Sequence, residues 1–139
     1  MKIFIICSKR FYDKIPVIEL KLKENGHIVT LPNCYDDPTS EDRYRALGME
    51  THSKWKSEMI NHSSEVIQKN DAVLVLNFNK GELKNYIGGA TFLEMYDAFR
   101  FGKNIFLYND IPEGILYDEI VGFGPVILSG NLDKILISR

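Results

Sequence analysis

The sequence predicts an α/β domain with a five-stranded, mainly parallel sheet and helices on both faces. Three observations carry this. The short apolar runs "KIFIIC" (2–7), "DAVLVLNF" (71–78) and "NIFLYN" (104–109) are rich in branched residues and suit strands covered on both faces. Segments with apolar residues at helical spacing stand between them. Strand and helix then alternate to the end of the chain, as in βαβ units, which gives a Rossmann- or flavodoxin-like architecture.

In order, "KIFIIC" is the central strand. "KRFYDKIPVIELKLKENG" (9–26) has Ile15, Ile18, Leu20 and Leu22 near helical spacing, Pro16 in a first turn and Asn25-Gly26 as a stop, so it reads as a helix. "HIVTL" (27–31) is a second strand. The polar, proline-bearing stretch 32–48 reads as a long loop, and long loops in small domains are often functional. From Met49 to Lys69, Trp55, Met59, Val66 and Ile67 recur at helical spacing, with Lys54, Lys56, Glu58 and Glu65 on the charged face. After the strand 71–78 come the loop "NKGELKNYIGG", a helix over 90–102, the strand 104–109, a helical turn near 113–121, the strand "PVIL" (125–128) and a short last helix "NLDKILI". No internal repeat or low-complexity tract interrupts this order.

The 139 residues, 45% hydrophobic and 12% aromatic, supply one core, so a single domain over 1–139 is expected. A formal charge of -2 gives no general attraction to nucleic acid or an anionic membrane. The opening "MKIFIICSKR" is too short in its apolar run for a signal peptide or a membrane span. Cys7 and Cys34 lack CxxC spacing, and His52, His62 and Cys34 lack metal-ligand spacing. The expectation is a reduced, cytoplasmic protein with neither metal nor cofactor.

In parallel sheets of this kind ligands bind beyond the carboxyl ends of the strands, where strand order reverses. The loops "SKRFYD" and "NFNKGELKNYIGG" border that crevice, and helix 90–102 starts from it with a stripe of Thr91, Met95, Ala98 and Gly102 facing the sheet. Glu94 lies beside that stripe. Free amides at the helix start favour its ionised form, and an anionic carboxylate in a concave site can act as nucleophile, base or stabiliser of a cationic transition state. The plain alternative is a favourable helix-start charge worth ~0.3–1 kcal/mol.

Taken together, the Asp-led strand, the loop ending in "KNYIGG", the helix glutamate in "TFLEMYDAFR", then "GK" and the strand "NIFLYN" resemble the nucleoside 2-deoxyribosyltransferase-like family, which includes 2'-deoxynucleoside 5'-phosphate N-hydrolases. The likeness covers the first strand and most of 66–128. It implies that Glu94 attacks the anomeric carbon of a nucleoside or nucleotide and that Ser8 and Arg10 hold a 5'-phosphate. By their place at the crevice, Gly88, Gly89, Thr91 and Asn109 are expected to border the substrate, and the resemblance implies a homodimer or larger homo-oligomer. Trp55, Tyr117 and Phe123 are interface residues by type. Where relatives carry an Asp eight residues ahead of the third strand's Asp, this chain has Ser63 beside His62, and relatives often have Asp or Ser where Gly88 stands. Those departures keep open a second reading, a nucleotide- or sugar-nucleotide-sensing module without turnover.

Overall fold

The computed structural model describes residues 1–136. Five strands, β1 (Lys2–Ile6), β2 (Ile28–Thr30), β3 (Ala72–Val75), β4 (Asn104–Leu107) and β5 (Val126–Ile127), form one sheet in the order β2-β1-β3-β4-β5. Every pairing is parallel. The α-helices are α1 (Ile15–Glu24), α2 (Ser40–Ala46), α3 (Met49–Gln68), α4 (Gly89–Arg100) and α5 (Tyr117–Phe123). This is a flavodoxin-like α/β domain.

The pleat sends alternate residues of each strand to opposite faces, and the core divides accordingly. Ile3, Ile5, Ala72, Leu74 and Phe106 pack with Ile15, Ile18 and Leu22 of α1 and with Leu128, Leu132 and Ile135 of the C-terminal segment. Phe4, Ile6, Val73, Val75, Ile105 and Leu107 pack with Ile67 of α3, Met95 and Ala98 of α4, and Ile120 of α5. Both faces of the three inner strands are therefore covered, which is why they read as continuous apolar runs.

Several elements differ from expectation. The stretch 32–48 is not all loop: Ser40–Ala46 is helical, held by hydrogen bonds such as Arg43 N–H to the Thr39 carbonyl at 3.1 Å, yet it buries no residue and so shows no apolar periodicity. The first part of 9–26 is a separate 3-10 helix, Lys9–Lys14, before Pro16 enters the first turn of α1. Gly102 is not on the sheet-facing stripe. It follows α4 at φ 67, a left-handed conformation that ends the helix, and it is exposed. The last helix is a 3-10 turn, Leu132–Lys134, and Ile137 of "NLDKILI" lies outside the described residues. His27, with no partner evident in sequence, accepts from the Met1 amine at Nδ1, 3.1 Å away.

The chain passes from β1 outward to β2 and then returns across β1 to β3. The reversal lies between β1 and β3, and their following loops open a crevice at the carboxyl edge.

Candidate functional site

A cavity of about 320 Å³ occupies that crevice. Its floor is Ile6, Cys7 and Ser8 as the chain leaves β1, and its second side is Pro32, Asn33 and Cys34 after β2. Helix α3 contributes Trp55, Lys56, Met59 and Ser63, helix α4 contributes Leu93, Glu94 and Asp97, and Pro38, Ser40 and Glu41 close it from the α2 side. Strand ends, two packed helices and a polar cap thus meet around one volume.

Glu94 is half-buried against the cavity. It sits in the second turn of α4, beyond reach of the free amides at Gly89 and Ala90, and burial outweighs any helix-start effect. Its carboxyl is pushed up to about 7, first by burial and then by the charge of Asp97, with the Ser63 hydroxyl and Lys56 pulling the other way. The expectation that helix-start amides keep Glu94 ionised is therefore corrected: near neutral pH it holds a proton part of the time.

Ser63 is buried, and its Oγ accepts the side-chain amide of Asn33 at 2.6 Å. With Asn33 donating, the hydroxyl proton is available to Glu94, the direction in which Ser63 acts on that carboxyl. Asp97, one turn beyond Glu94, interacts with the neighbouring Ser64, and burial raises its carboxyl above the usual range despite that hydrogen bond. Two serines of α3 face two carboxyls of α4.

The other walls are less acidic. Tyr12 lines the cavity and its phenol is raised by burial, then by Cys34, Cys7 and Glu94. Cys7 is pushed up to about 12 by burial and then Glu94, so its thiol stays protonated and unreactive. Trp55 stacks on Tyr44 of α2 with ring centroids 5.6 Å apart at 17° and lies beside His52 at 6.3 Å. Glu41 accepts from His52 at 2.9 Å and from Lys56 at 3.2 Å, tying α2 to α3. Burial opposes its charge, but those two hydrogen bonds hold its carboxyl below the ordinary value.

Of the residues singled out in sequence, Glu94, Ser8, Gly88, Gly89 and Thr91 all line this cavity. Ser8 also caps the 3-10 helix, accepting the Arg10 N–H at 3.4 Å. Arg10 is exposed and stands outside the lining. The basic residue on this wall is Lys9, paired with Asp42 at 3.1 Å. Asn109 is not part of the wall either. Its backbone N–H donates to Oδ1 of the fully buried Asn77 at 2.8 Å, and its own amide donates to the Asn77 carbonyl at 3.1 Å, locking the ends of β3 and β4 together. His62 is exposed while its neighbour Ser63 turns inward, and Lys84 and Asn85 lie outside the lining although Tyr86 is in it. Trp55 is 8% exposed, sealed by Tyr44 rather than left open as a contact residue, whereas Tyr117 is exposed at 45%.

Sequence reasoning missed Lys56, Asn33, Glu41 and Asp97. For Asp97 a signal existed: it lies three residues after Glu94, hence on the same helical face. Ser63 likewise interrupts the stripe of Trp55, Met59 and Ile67, and a small polar residue inside an apolar stripe marks a polar partner or a cavity.

Among the described residues no cluster of three or more His, Cys, Asp or Glu could hold a metal ion, and no helix is long and apolar enough to cross a membrane. The chain matches no protein-family model, no curated protein and no solved structure.

Proposed function

We propose that this protein breaks the N-glycosidic bond of a nucleoside, deoxynucleoside or nucleoside 5'-phosphate, by hydrolysis or by transfer to another base, with Glu94 as nucleophile. The observation that carries it is the Glu94 carboxyl on the cavity wall, desolvated and faced by the Ser63 hydroxyl. The likeness of "YIGGATFLEMYDAFRFGK" to the nucleoside 2-deoxyribosyltransferase-like family supports the same reading.

In this mechanism a carboxylate oxygen of Glu94 bonds to the anomeric carbon as the carbon–nitrogen bond breaks and the base departs with the electron pair. Water or a second base then attacks the same carbon, and Glu94 leaves as carboxylate. The Ser63 hydroxyl steadies the anion before attack and after release. Tyr12, Tyr86 and Leu93 supply apolar surface for a planar base.

The reading includes a cytoplasmic homo-oligomer. Leu93, Tyr96 and Phe99 of α4 are 45%, 46% and 46% exposed, an apolar surface that a second copy would cover, and sedimentation at micromolar concentration reads the assembly directly.

Incubation of purified, folded protein with nucleosides, deoxynucleosides and their 5'-phosphates, followed by chromatography for free base, tests the activity. Release of base from at least one class is expected. No release from any class overturns it. Ser63, where a third carboxyl would otherwise stand, favours a second reading: a module that binds an intact nucleotide without turnover. That module would gain thermal stability from one ligand class by mass action and leave it unconsumed.

A further inference from the structure

If Glu94 is the nucleophile, the site still needs a proton donor. A base leaving a sugar carries away the electron pair of the broken bond, and a neutral base is a poor leaving group unless a proton reaches it in the same step. Glu94 cannot attack and donate at once. Among its neighbours on the wall, Cys7 and Tyr12 hold their protons too tightly, serine hydroxyls are weaker acids still, and His62 faces solvent. Lys56 is engaged with Glu41 at 3.2 Å.

Asp97 stands where a donor is required. It shares the cavity-facing side of α4 with Glu94, one turn away, and Ser64 of the packed helix α3 orients it as Ser63 orients Glu94. Resting on the glycosidic reading above, we infer that Asp97 is the general acid–base of this site, protonating the departing base and then taking a proton from the attacking water. The balance closes. In the first step the Asp97 O–H proton passes to the base nitrogen, the carbon–nitrogen bond breaks and a Glu94 ester forms. In the second, water adds to the anomeric carbon, its proton returns to Asp97, and the ester opens to the Glu94 carboxylate. The products are free sugar and free base.

The two carboxyls are close enough for the charge of Asp97 to raise Glu94, so the pair shares one proton over a range of pH. The productive singly protonated form has the proton on Asp97. At rest the proton sits on Glu94, raised to about 7 by burial and by the charge of Asp97, so it passes from Glu94 to Asp97 before attack, and Ser63 and Lys56 stabilise the Glu94 anion this leaves. The burial that raises Asp97 also makes it a proton donor closer to neutral pH than a free aspartate.

The test uses two kinds of substrate. An ordinary nucleoside needs its base protonated. A nucleoside of N7-methylated guanine carries a cationic base that leaves neutral without a proton. Asp97→Asn should slow release from the ordinary nucleoside by roughly 10²–10⁴-fold. On the methylated nucleoside it should slow release by less than about tenfold, the size of one missing neutral hydrogen bond. Glu94→Gln should abolish both. With wild-type protein alone, the falling limb of rate against pH should appear on the ordinary substrate and vanish on the methylated one, a readout independent of whether the variant folds. Equal slowing of both substrates by Asp97→Asn, or no slowing of either, overturns the role of Asp97 while leaving Glu94 in place. A wild-type protein inactive on both overturns the glycosidic reading and this role with it.

Discussion

Asn33 and Ser63, thirty residues apart in sequence, are joined by a hydrogen bond of 2.6 Å from the Asn33 amide to the Ser63 hydroxyl oxygen. Asn33 lies just past β2 and Ser63 on the second turn from the end of α3, so the bond fixes the hydroxyl rotor beside Glu94. Ser63→Ala removes both interactions. The Glu94 carboxyl then loses the hydroxyl that favours its anion, and its value should climb above about 7, moving the rising limb of rate against pH toward alkaline pH. Stability should fall by about 1–2 kcal/mol, since the Asn33 amide is left without its acceptor. A pH–rate profile and a urea titration read the two effects separately.

Glu94→Gln should change the pH dependence of stability in a defined direction. The native Glu94 carboxyl binds its proton more tightly than the unfolded one, at about 7 against 4.5. Its contribution is therefore fully present below pH 4.5 and is lost as pH rises through 7, to a cost of at most about 3 kcal/mol at alkaline pH. The glutamine variant lacks this titration. It should melt at or above wild type at pH 8.5, with a flatter profile between pH 4.5 and 7, while base release drops by orders of magnitude. Calorimetry across pH checks the first effect and chromatography the second.

Gly89→Ala should separate stability from binding. Gly89 opens α4, and a Cβ there meets no atom within 4 Å, so the helix accepts alanine without strain. The smaller entropy of the unfolded chain should then raise stability by about 0.4–1 kcal/mol. The added methyl stands at the cavity wall, where it narrows the space for a ligand and weakens binding. Gly88→Ala is tighter, because its Cβ would lie 3.3 Å from the Tyr86 hydroxyl. A melting curve paired with a titration of bound nucleoside distinguishes the two glycines.

Glu41→Ala should loosen α2 selectively. The change strips the shared acceptor from His52 and Lys56 of α3, and the Tyr44 stack on Trp55 and the Lys9–Asp42 pair remain as ties. Amide exchange over 40–46 should accelerate at least tenfold while β1 and β3 keep their protection. Trp55 is the only tryptophan, so a red shift in its emission reports the same detachment. Equal acceleration throughout the sheet would count against α2 as a separately held element.

Legibility in the sequence followed burial. Strands β1 and β3 were evident because residues 3–6 and 72–75 are covered on both faces and leave an unbroken apolar run. Helix α4 was evident from Thr91, Met95 and Ala98 at helical spacing. Helix α2 was not, since a helix held by Glu41, Arg43 and Tyr44 on its surface carries no apolar period. The site was legible only at Glu94 and along the loops where strands end. Lys56 reads as a solvent-facing charge within its own helix, and only the packing of α3 on α4 brings it to the same cavity as Asp97. The stripe itself was overextended by one residue, because a glycine at a helix end and a glycine on a packed face look alike until the sign of φ is known.

Helix α2 contributes nothing to either core layer, yet it forms part of the wall around the ligand space. Residues that discriminate between ligands can therefore vary in this segment without a compensating change in the sheet. Substitutions confined to 40–46 can thus reshape that wall while the strands hold still.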